Sequence, residues 1–174
     1  MKITESKEVY SCKLFKVTED KAVDPKTGFE IARSVVRHAG SAVMMAMDDK
    51  NRILLVRQYR LPAEEDMWEL PAGKIDEGEK ALQAAKRELA EETGYKAKTW
   101  TKLATFFVSP GYVQERMTIF LATDLKSGNA TPMDDERIEV RWFKKKEVGD
   151  MIRDGRIKDA KTMIGFFLGT KKRK

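Results

Sequence analysis

Two glutamates one helical turn apart, Glu88 and Glu92, are the residues whose types and spacing most clearly allow chemistry. An α-helix brings residues i and i+4 to the same face, so these two carboxylates stand close together. Like charges at this spacing destabilise an exposed helix by roughly 0.2–0.5 kcal/mol, and by more at the edge of a core, unless a cation neutralises them. Hard divalent cations take oxygen ligands, and Mg²⁺ leaves positions for water and substrate phosphates. The pair therefore predicts a metal site that a phosphate completes.

The element that must position this pair is a helix within the segment from Glu79 to Thr93. The segment is rich in strong helix formers and lacks proline and glycine, and Gly94 follows where a left-handed C-cap residue belongs. Arg87 precedes Glu91 by four residues, so these two side chains can pair beside the metal face. The apolar stripe that should face the core consists of Leu82, Ala85 and Leu89.

The pattern from Gly73 to Tyr95 is G-x5-E-x7-R-E-L-x-E-E-x-G followed by a bulky residue. It resembles the Nudix box, with every fixed position present and Tyr95 in place of the usual aliphatic residue. Glutamate-rich helices are commonly solvated faces, and the full spacing is what favours a functional site here. The resemblance implies the α+β Nudix fold, in which a mixed β-sheet is sandwiched between helices (an α/β/α sandwich).

The same resemblance implies a set of metal ligands and catalytic groups. Mg²⁺ is the expected cofactor, with Mn²⁺ as a substitute. The implied metal ligands are the backbone carbonyl of Ala72 and the carboxylates of Glu69, Glu88 and Glu92, with Glu69 helping to bind either metal or substrate. Glu91 is a further ligand or the partner of Arg87, and both belong to the expected catalytic set.

An acidic segment before the predicted strand at residues 138–143 supplies the expected general base. In ADP-ribose pyrophosphatases an acidic loop at this point closes over the site and activates the attacking water. Glu136 best fits the family's E-x-I-E-V pattern, and Asp134 and Asp135 are its rivals. An acidic loop without this context is usually only solvated.

Arginines before the box are the expected diphosphate contacts. Gln58-Tyr59-Arg60 resembles the Q-[FY]-R stretch of ADP-ribose pyrophosphatases, whose arginine contacts the diphosphate. A guanidinium can hold phosphate oxygens bidentately. Arg57 is a second candidate, or a solvent-facing strand residue.

A proline loop after the box narrows the resemblance to ADP-ribose pyrophosphatases and related nucleoside diphosphate sugar hydrolases. Pro110 lies about fifteen residues past the box, as in those enzymes. The segment at residues 109–116 resembles their substrate loop, in which Tyr112 or Glu115 reaches the sugar or base. The proline-glycine pair also fits a type II turn.

Residues 1–38 are predicted to form an N-terminal antiparallel β extension, followed by the Nudix hydrolase domain at 39–170 and a basic tail at 171–174. Within the extension, one strand is expected from Val9 to Asp20, a turn from Asp24 to Gly28, and a returning strand from Phe29 to His38. In Nudix enzymes acting on ADP-ribose, a similar sheet packs against a second subunit and lends it a residue. The resemblance therefore implies a homodimer, with Arg33 as a substrate contact or else an ordinary strand arginine.

Composition limits the other classes of function. The chain has 174 residues, 41% hydrophobic and 36% charged, and no apolar run of membrane-spanning length. One cysteine excludes an internal disulfide, and a cytoplasmic location is expected. The net charge of +6 owes much to the basic end, so nucleic acid is a disfavoured partner.

The expected reaction is hydrolysis of the diphosphate linkage of ADP-ribose, or of a related nucleoside diphosphate sugar, to a nucleoside monophosphate and a sugar phosphate. Alternatives with the same mechanism are a GDP-mannose-type sugar substrate and a dinucleoside polyphosphate or RNA 5′-end substrate. A non-catalytic Nudix-fold binding module is a third alternative. It is disfavoured because such modules usually lack the glutamates of the box.

Overall fold

The computed structural model describes residues 1–130 and 137–171. The strands in this part of the chain are β1 (Lys2–Ser11), β2 (Lys16–Val23), β3 (Glu30–Arg37), β4 (Ser41–Ala46), β5 (Arg52–Arg60), β6 (Glu65–Glu69), β7 (Ala72–Lys74), β8 (Tyr95–Phe107), β9 (Arg116–Ser127) and β10 (Glu139–Lys144). The α-helices are α1 (Ala81–Thr93), α2 (Lys145–Arg153) and α3 (Ala160–Thr170). The chain forms two compact units, Met1–Gly40 with Phe106–Met117, and Ser41–Thr105 with Thr118–Lys174.

The first unit contains an antiparallel sheet in the order β1-β2-β3. The predicted turn after β2 is confirmed, because the Gly28 N–H donates to the Asp24 carbonyl at 2.8 Å and Gly28 has a φ of 73°. The single strand expected from Val9 to Asp20 is wrong, since the chain turns at residues 12–15, where the Cys12 N–H donates to the Phe15 carbonyl. That turn contains no glycine, proline, asparagine or aspartate, so the sequence carried none of the usual turn signals.

The second unit is built around β4, whose six residues are all buried. Ala42, Met44 and Ala46 join one apolar cluster with α1. Met45 lies on the opposite side of the strand, where a Cβ added to Gly169 of α3 would come within 2.3 Å of its Sδ. The strand therefore lies between two helices, as expected for an apolar run buried on both faces. The predicted α+β sandwich is confirmed.

Two sheets organise the second unit. One has the strand order β10-β5-β6 and the other β7-β4-β9-β8. β7 pairs antiparallel with β4, so that Ala72 lies opposite Val43 and Gly73 opposite Ala42. Because of this pairing, the segment at the start of the box runs alongside β4, which is also the strand on which α1 packs.

The predicted end of the glutamate helix is also confirmed, and the start of α3 is defined by a side-chain cap. α1 ends at Thr93, and its C-cap residue Gly94 has a φ of 73° and donates its N–H to the Ala90 carbonyl at 2.9 Å. α3 begins after Asp159, whose side chain accepts the Thr162 N–H at 2.9 Å, as a helix N-cap does. No helix in the described ranges is long and apolar enough to cross a membrane.

Candidate active site

Glu88 and Glu92 are buried on α1, with only 8% and 4% of their surfaces exposed. They adjoin Ala84, Ala85 and Leu89, which form the buried apolar side of the helix. The predicted stripe is shifted by part of a turn, because Leu82 is only partly buried while Ala84 is fully buried. Two ionised carboxylates at such a position need cations or hydrogen-bond donors to offset the loss of water.

The backbone of β7 makes room for this pair of carboxylates. A Cβ on Gly73 would lie 1.9 Å from Cδ of Glu88 and close to both of its oxygens, so only glycine leaves space for this carboxylate. The N–H of Ala72, the residue before Gly73 on β7, donates to Oε2 of Glu92 at 3.2 Å. The first glycine of the box is therefore a packing requirement of the glutamate that follows it by fifteen positions.

Arg87 is the cation that joins the helix to the preceding loop. Its guanidinium donates to Glu88 at 2.6 Å and to Glu91 at 3.1 Å, the latter being the pair predicted from the sequence. It also donates to both oxygens of Glu79 and to the Lys74 carbonyl. The hydrogen bond to Glu79, followed by those to the other two glutamates, raises the pKa of Arg87 despite its partial burial. Arg87 thus offsets the negative charge on this side of the helix.

The donor set of α1 and β7 fits a hard divalent cation that has further ligands from water or substrate. Oxygen donors are present, in the form of two buried carboxylates beside the peptide backbone of Ala72 and Gly73. Within residues 1–130 and 137–171, no group of three or more histidine, cysteine, aspartate or glutamate side chains is arranged to hold a metal ion. Such a set suits a hard divalent cation that binds through one or two carboxylates and keeps several waters or phosphate oxygens in its other positions.

A second charged cluster lies at the ends of β5 and β6. Nε and Nη2 of Arg60 each donate to one oxygen of Glu69 at 2.8 Å. The Lys161 ammonium on α3 donates to Oε2 of the same carboxylate. Glu69 is almost fully buried, whereas 39% of the Arg60 side chain is exposed. Glu69 is therefore the buried anchor of an arginine that reaches solvent.

Glu69 and Arg60 favour their ionised forms in this cluster. Burial alone would raise the pKa of Glu69, but the hydrogen bond from Arg60 and the charge of Lys161 outweigh it and hold that pKa below its ordinary value. The hydrogen bond to Glu69 raises the pKa of Arg60, and the negative charges of Glu92 and Asp159 raise it further. Arg60 and Glu69 therefore form a fully charged ion pair.

Arg57, the other predicted arginine, lies on β5 between two carboxylates. Its Nη2 contacts Asp66 at 3.1 Å and its Nη1 contacts Glu139 at 3.7 Å. All three side chains are exposed by more than two-fifths. Each terminal nitrogen of Arg57 already has a carboxylate partner, so Arg60 is the better placed of the two for an incoming phosphate.

Three predicted substrate contacts belong to the first unit. Arg33 and Tyr112 line the same cavity of about 370 Å³, together with Pro110 and Phe107. Glu115 is not part of that lining, and its Oε1 lies 3.6 Å from Nδ1 of His38. The structure thus brings Arg33 and Tyr112 to one cavity and places Glu115 elsewhere in the unit.

The loop that carries Tyr112 is fixed to β3 by its backbone. The Val36 N–H donates to the Tyr112 carbonyl at 2.8 Å, and the Gln114 N–H donates to the Val36 carbonyl at 2.9 Å. The proposed type II turn is wrong, because Gly111 lacks the positive φ that such a turn requires, although the Tyr112 N–H does donate to the Ser109 carbonyl.

Some predictions fall where the structure gives no description, and some contacts were not predicted. The expected base Glu136 and its rivals Asp134 and Asp135 lie outside the described residues, as do residues 172–174 of the basic tail. Lys161 was not predicted, since a lysine in an apolar helix carries no motif. The contact of Glu79 with Arg87 was also not predicted, although both are fixed positions of the box.

Comparison with known proteins identifies the family of the chain. The NUDIX domain family matches residues 36–165. An ADP-ribose pyrophosphatase of Bacillus subtilis (strain 168) is 36% identical over 142 residues, which are 80% of this chain and 77% of that protein. A methanol dehydrogenase activator of Bacillus methanolicus is 35% identical over 165 residues, covering 94% of this chain and 89% of that protein.

A solved structure supports the same assignment. The crystal structure of an ADP compounds hydrolase matches with a TM-score of 0.81 and 25% identity, covering 97% of this chain and 92% of that one. The fold and the glutamate helix had already defined the class of protein, a Nudix domain. This chain belongs to the Nudix family and is a hydrolase, as the box predicted.

Proposed function

We propose that the protein hydrolyses the diphosphate linkage of ADP-ribose or a related nucleoside diphosphate sugar, so that ADP-ribose gives AMP and ribose 5-phosphate. The observation that carries the proposal is the buried pair Glu88 and Glu92 against the backbone of β7, with the charge of Glu92 acting on the partly exposed Arg60. The activities named for the Bacillus subtilis relative and for the ADP compounds hydrolase support this substrate class.

The proposed cofactor is Mg²⁺, with Mn²⁺ as a substitute. Glu88, Glu92 and the carbonyl of Ala72 would hold it, and when bound it would neutralise charge on the diphosphate oxygens. Glu69 is proposed for the substrate side of the site instead, because Arg60 and Lys161 occupy both of its oxygens. Arg87 keeps Glu88 and Glu91 in place, and Glu91 remains a candidate for a further ligand.

Other residues of the chain are proposed to bind the substrate and to activate the attacking water. Arg60 binds the diphosphate, and Arg57, which is held between Asp66 and Glu139, is the second candidate for this contact. A carboxylate of the acidic segment, with Glu136 first among the candidates, takes the proton of the attacking water. Arg33, Tyr112 and Glu115 are proposed for the nucleoside end.

The proposed assembly is a homodimer formed by the β extension at residues 1–38, with the Nudix hydrolase domain at 39–170. Every residue of β1 is exposed, including Ile3, Val9 and Tyr10, and an uncovered strand with apolar side chains invites pairing with another chain. A cytoplasmic location completes the proposal, in keeping with a single cysteine. Sedimentation of the full chain would test the dimer: a monomer at micromolar concentration would contradict it.

The experiment that tests the proposed reaction is product analysis with Mg²⁺ over a panel of substrates. The panel contains ADP-ribose, ADP-glucose, GDP-mannose, a diadenosine polyphosphate and 5′-triphosphate RNA. AMP and ribose 5-phosphate formed from ADP-ribose as the fastest reaction would support the proposal. Faster cleavage of GDP-mannose would retain the mechanism and change the sugar.

Two outcomes would overturn the proposed function. If only polyphosphates or RNA reacted, the substrate class would be wrong. If nothing reacted while Mg²⁺ still bound, the protein would be a binding module. Glu92→Gln serves as the matched variant because it keeps the shape of the side chain and removes the charge, and product formed equally by this variant would contradict the proposed role of Glu92 as a metal ligand.

A further inference from the structure

Lys161 is a buried charged residue to which the proposed reaction gives no role. It is 8% exposed and lies in the first turn of α3. Its ammonium donates to Glu69 and, at 3.0 Å, to Asp159, the N-cap of the same helix. A lysine seldom occupies so buried a position unless it is paired, so its contacts explain why it is there.

The start of α3 is fixed on the end of β6 by neighbouring contacts. The Leu70 N–H donates to Oγ1 of Thr162 at 2.8 Å. Leu70 directly follows Glu69 in the chain, and Thr162 directly follows Lys161 on α3. Thr162 in turn donates to Asp159. Lys161 therefore approaches Glu69 from a rigid position, and not as a mobile surface side chain.

Glu69 is shared between two cations. Oε1 accepts from Nε of Arg60, while Oε2 accepts from both Nη2 of Arg60 and the Lys161 ammonium. With two positive charges on one carboxylate, Arg60 is only partly neutralised by its anchor. If Lys161 were uncharged, the buried carboxylate would have Arg60 as its only cation in this cluster and would hold it more strongly.

The way Arg60 is held leaves part of its guanidinium for a ligand. Glu69 uses the edge formed by Nε and Nη2, and Nη1 has no hydrogen-bond acceptor among the described residues. Since 39% of the side chain is exposed, that nitrogen is open to an incoming oxygen. A guanidinium fixed on one edge can still donate to a phosphate from the rest of its fork.

We propose that Lys161 is a positioning residue for phosphate binding. Through its ion pair with Glu69, it sets the orientation of Arg60 and the positive charge that Arg60 offers to a phosphate. This inference rests on the proposed function, in which Arg60 contacts the diphosphate. Arg60 would contact non-reacting phosphate oxygens in the ground state and the transition state alike. Loss of its positioning should therefore raise KM and leave kcat nearly unchanged.

The test compares the steady-state kinetics of ADP-ribose hydrolysis in wild type, Lys161→Met and Lys161→Arg. Lys161→Met should raise KM by about tenfold and change kcat by less than about threefold. Lys161→Arg keeps the charge and should recover most of the affinity. The matched control is Lys158→Met, which removes another lysine-glutamate pair between the start of α3 and β6, that of Lys158 with Glu65 at 2.8 Å, and should leave KM unchanged.

A double-mutant cycle with Arg60→Met decides whether Lys161 acts through the arginine. In that background Lys161→Met should change KM by less than about twofold, because the residue it positions is gone. If thermal denaturation shows that Lys161→Met does not fold, Glu69→Gln/Lys161→Met replaces it. That variant is compared with Glu69→Gln alone, and the two should have the same KM, because Lys161 acts on Arg60 only through the Glu69 carboxylate.

The outcomes separate the two proposals. Absence of turnover of every nucleoside diphosphate sugar in the panel by the wild type would overturn the proposed function and this inference with it. Wild-type turnover with an unchanged KM in Lys161→Met would overturn this inference alone. An equal rise in KM for Lys158→Met, or an undiminished effect of Lys161→Met without Arg60, would reduce Lys161 to a structural residue and also overturn it.

Discussion

Replacing Gly73 by alanine should disable the proposed metal site through one added methyl group. The new Cβ would lie 1.9 Å from Cδ of Glu88 and 2.1 and 2.3 Å from its two oxygens. Gly73 does not have a positive φ, so alanine brings no backbone strain of its own. The whole effect of the substitution should therefore pass through the position of one carboxylate.

The size of the effect follows from the overlap. To reach an ordinary contact of 3.4 Å, the carboxylate must retreat by about 1.5 Å from Gly73, away from β7. A misplacement of about 1 Å at a catalytic group can cost about 10²-fold in rate, so kcat/KM should fall by at least that factor. Overpacking typically costs about 1–3 kcal/mol of unfolding free energy, and a side-chain end that can move places this site near the lower value.

Urea denaturation and steady-state kinetics in Mg²⁺ measure the two quantities separately. Gly149→Ala is the matched control, because its Cβ would meet only side-chain atoms, the nearest being Cζ of Phe166 at 3.3 Å. Its kcat/KM should equal that of the wild type. In a Glu88→Ala background, Gly73→Ala should lose most of its stability cost, since the overlapping carboxylate is absent, while activity should not return.

Two results would refute this reasoning. Wild-type kcat/KM in Gly73→Ala would mean that the position of Glu88 is not critical for the reaction. A stability cost that persists in the Glu88→Ala background would mean that the methyl group clashes with something other than this carboxylate.

The remaining predictions concern charge. Glu92→Gln should reduce Mg²⁺-dependent kcat by orders of magnitude with little change in Tm, and titration calorimetry with the metal should show weaker binding; near-wild-type turnover would remove Glu92 from the ligand set. Arg87→Lys should lower the unfolding free energy by about 1–3 kcal/mol in urea, because an ammonium cannot replace the forked contacts with Glu79 and Glu88. The pKa of Glu69 is held below its ordinary 4.5, so its ion pairs stabilise the fold above that pH and stop doing so as the pH falls through the lower, folded-state value. The acid-side fall in Tm should therefore be shallower in Glu69→Gln, and an identical slope would contradict this assignment.

Several features of the fold could be predicted because they depend on local chemistry. A left-handed glycine ends α1 and an aspartate caps α3, and both effects arise within a few residues of chain. The apolar run of β4 required burial on both faces whatever surrounded it. The turn at residues 12–15 was missed because its residues carry no local turn preference.

The sequence by itself determined the family, the enzyme class and the spacing of the two glutamates on one helix, because fixed spacing along an α-helix is already a geometry. Only the tertiary structure decided which groups meet across long stretches of chain. It placed Gly73 against the carboxylate of Glu88. It also paired Lys161 with Glu69, which lies 92 residues away in sequence. Contacts of this kind depend on how helices and strands pack together, and no local pattern of residues encodes them.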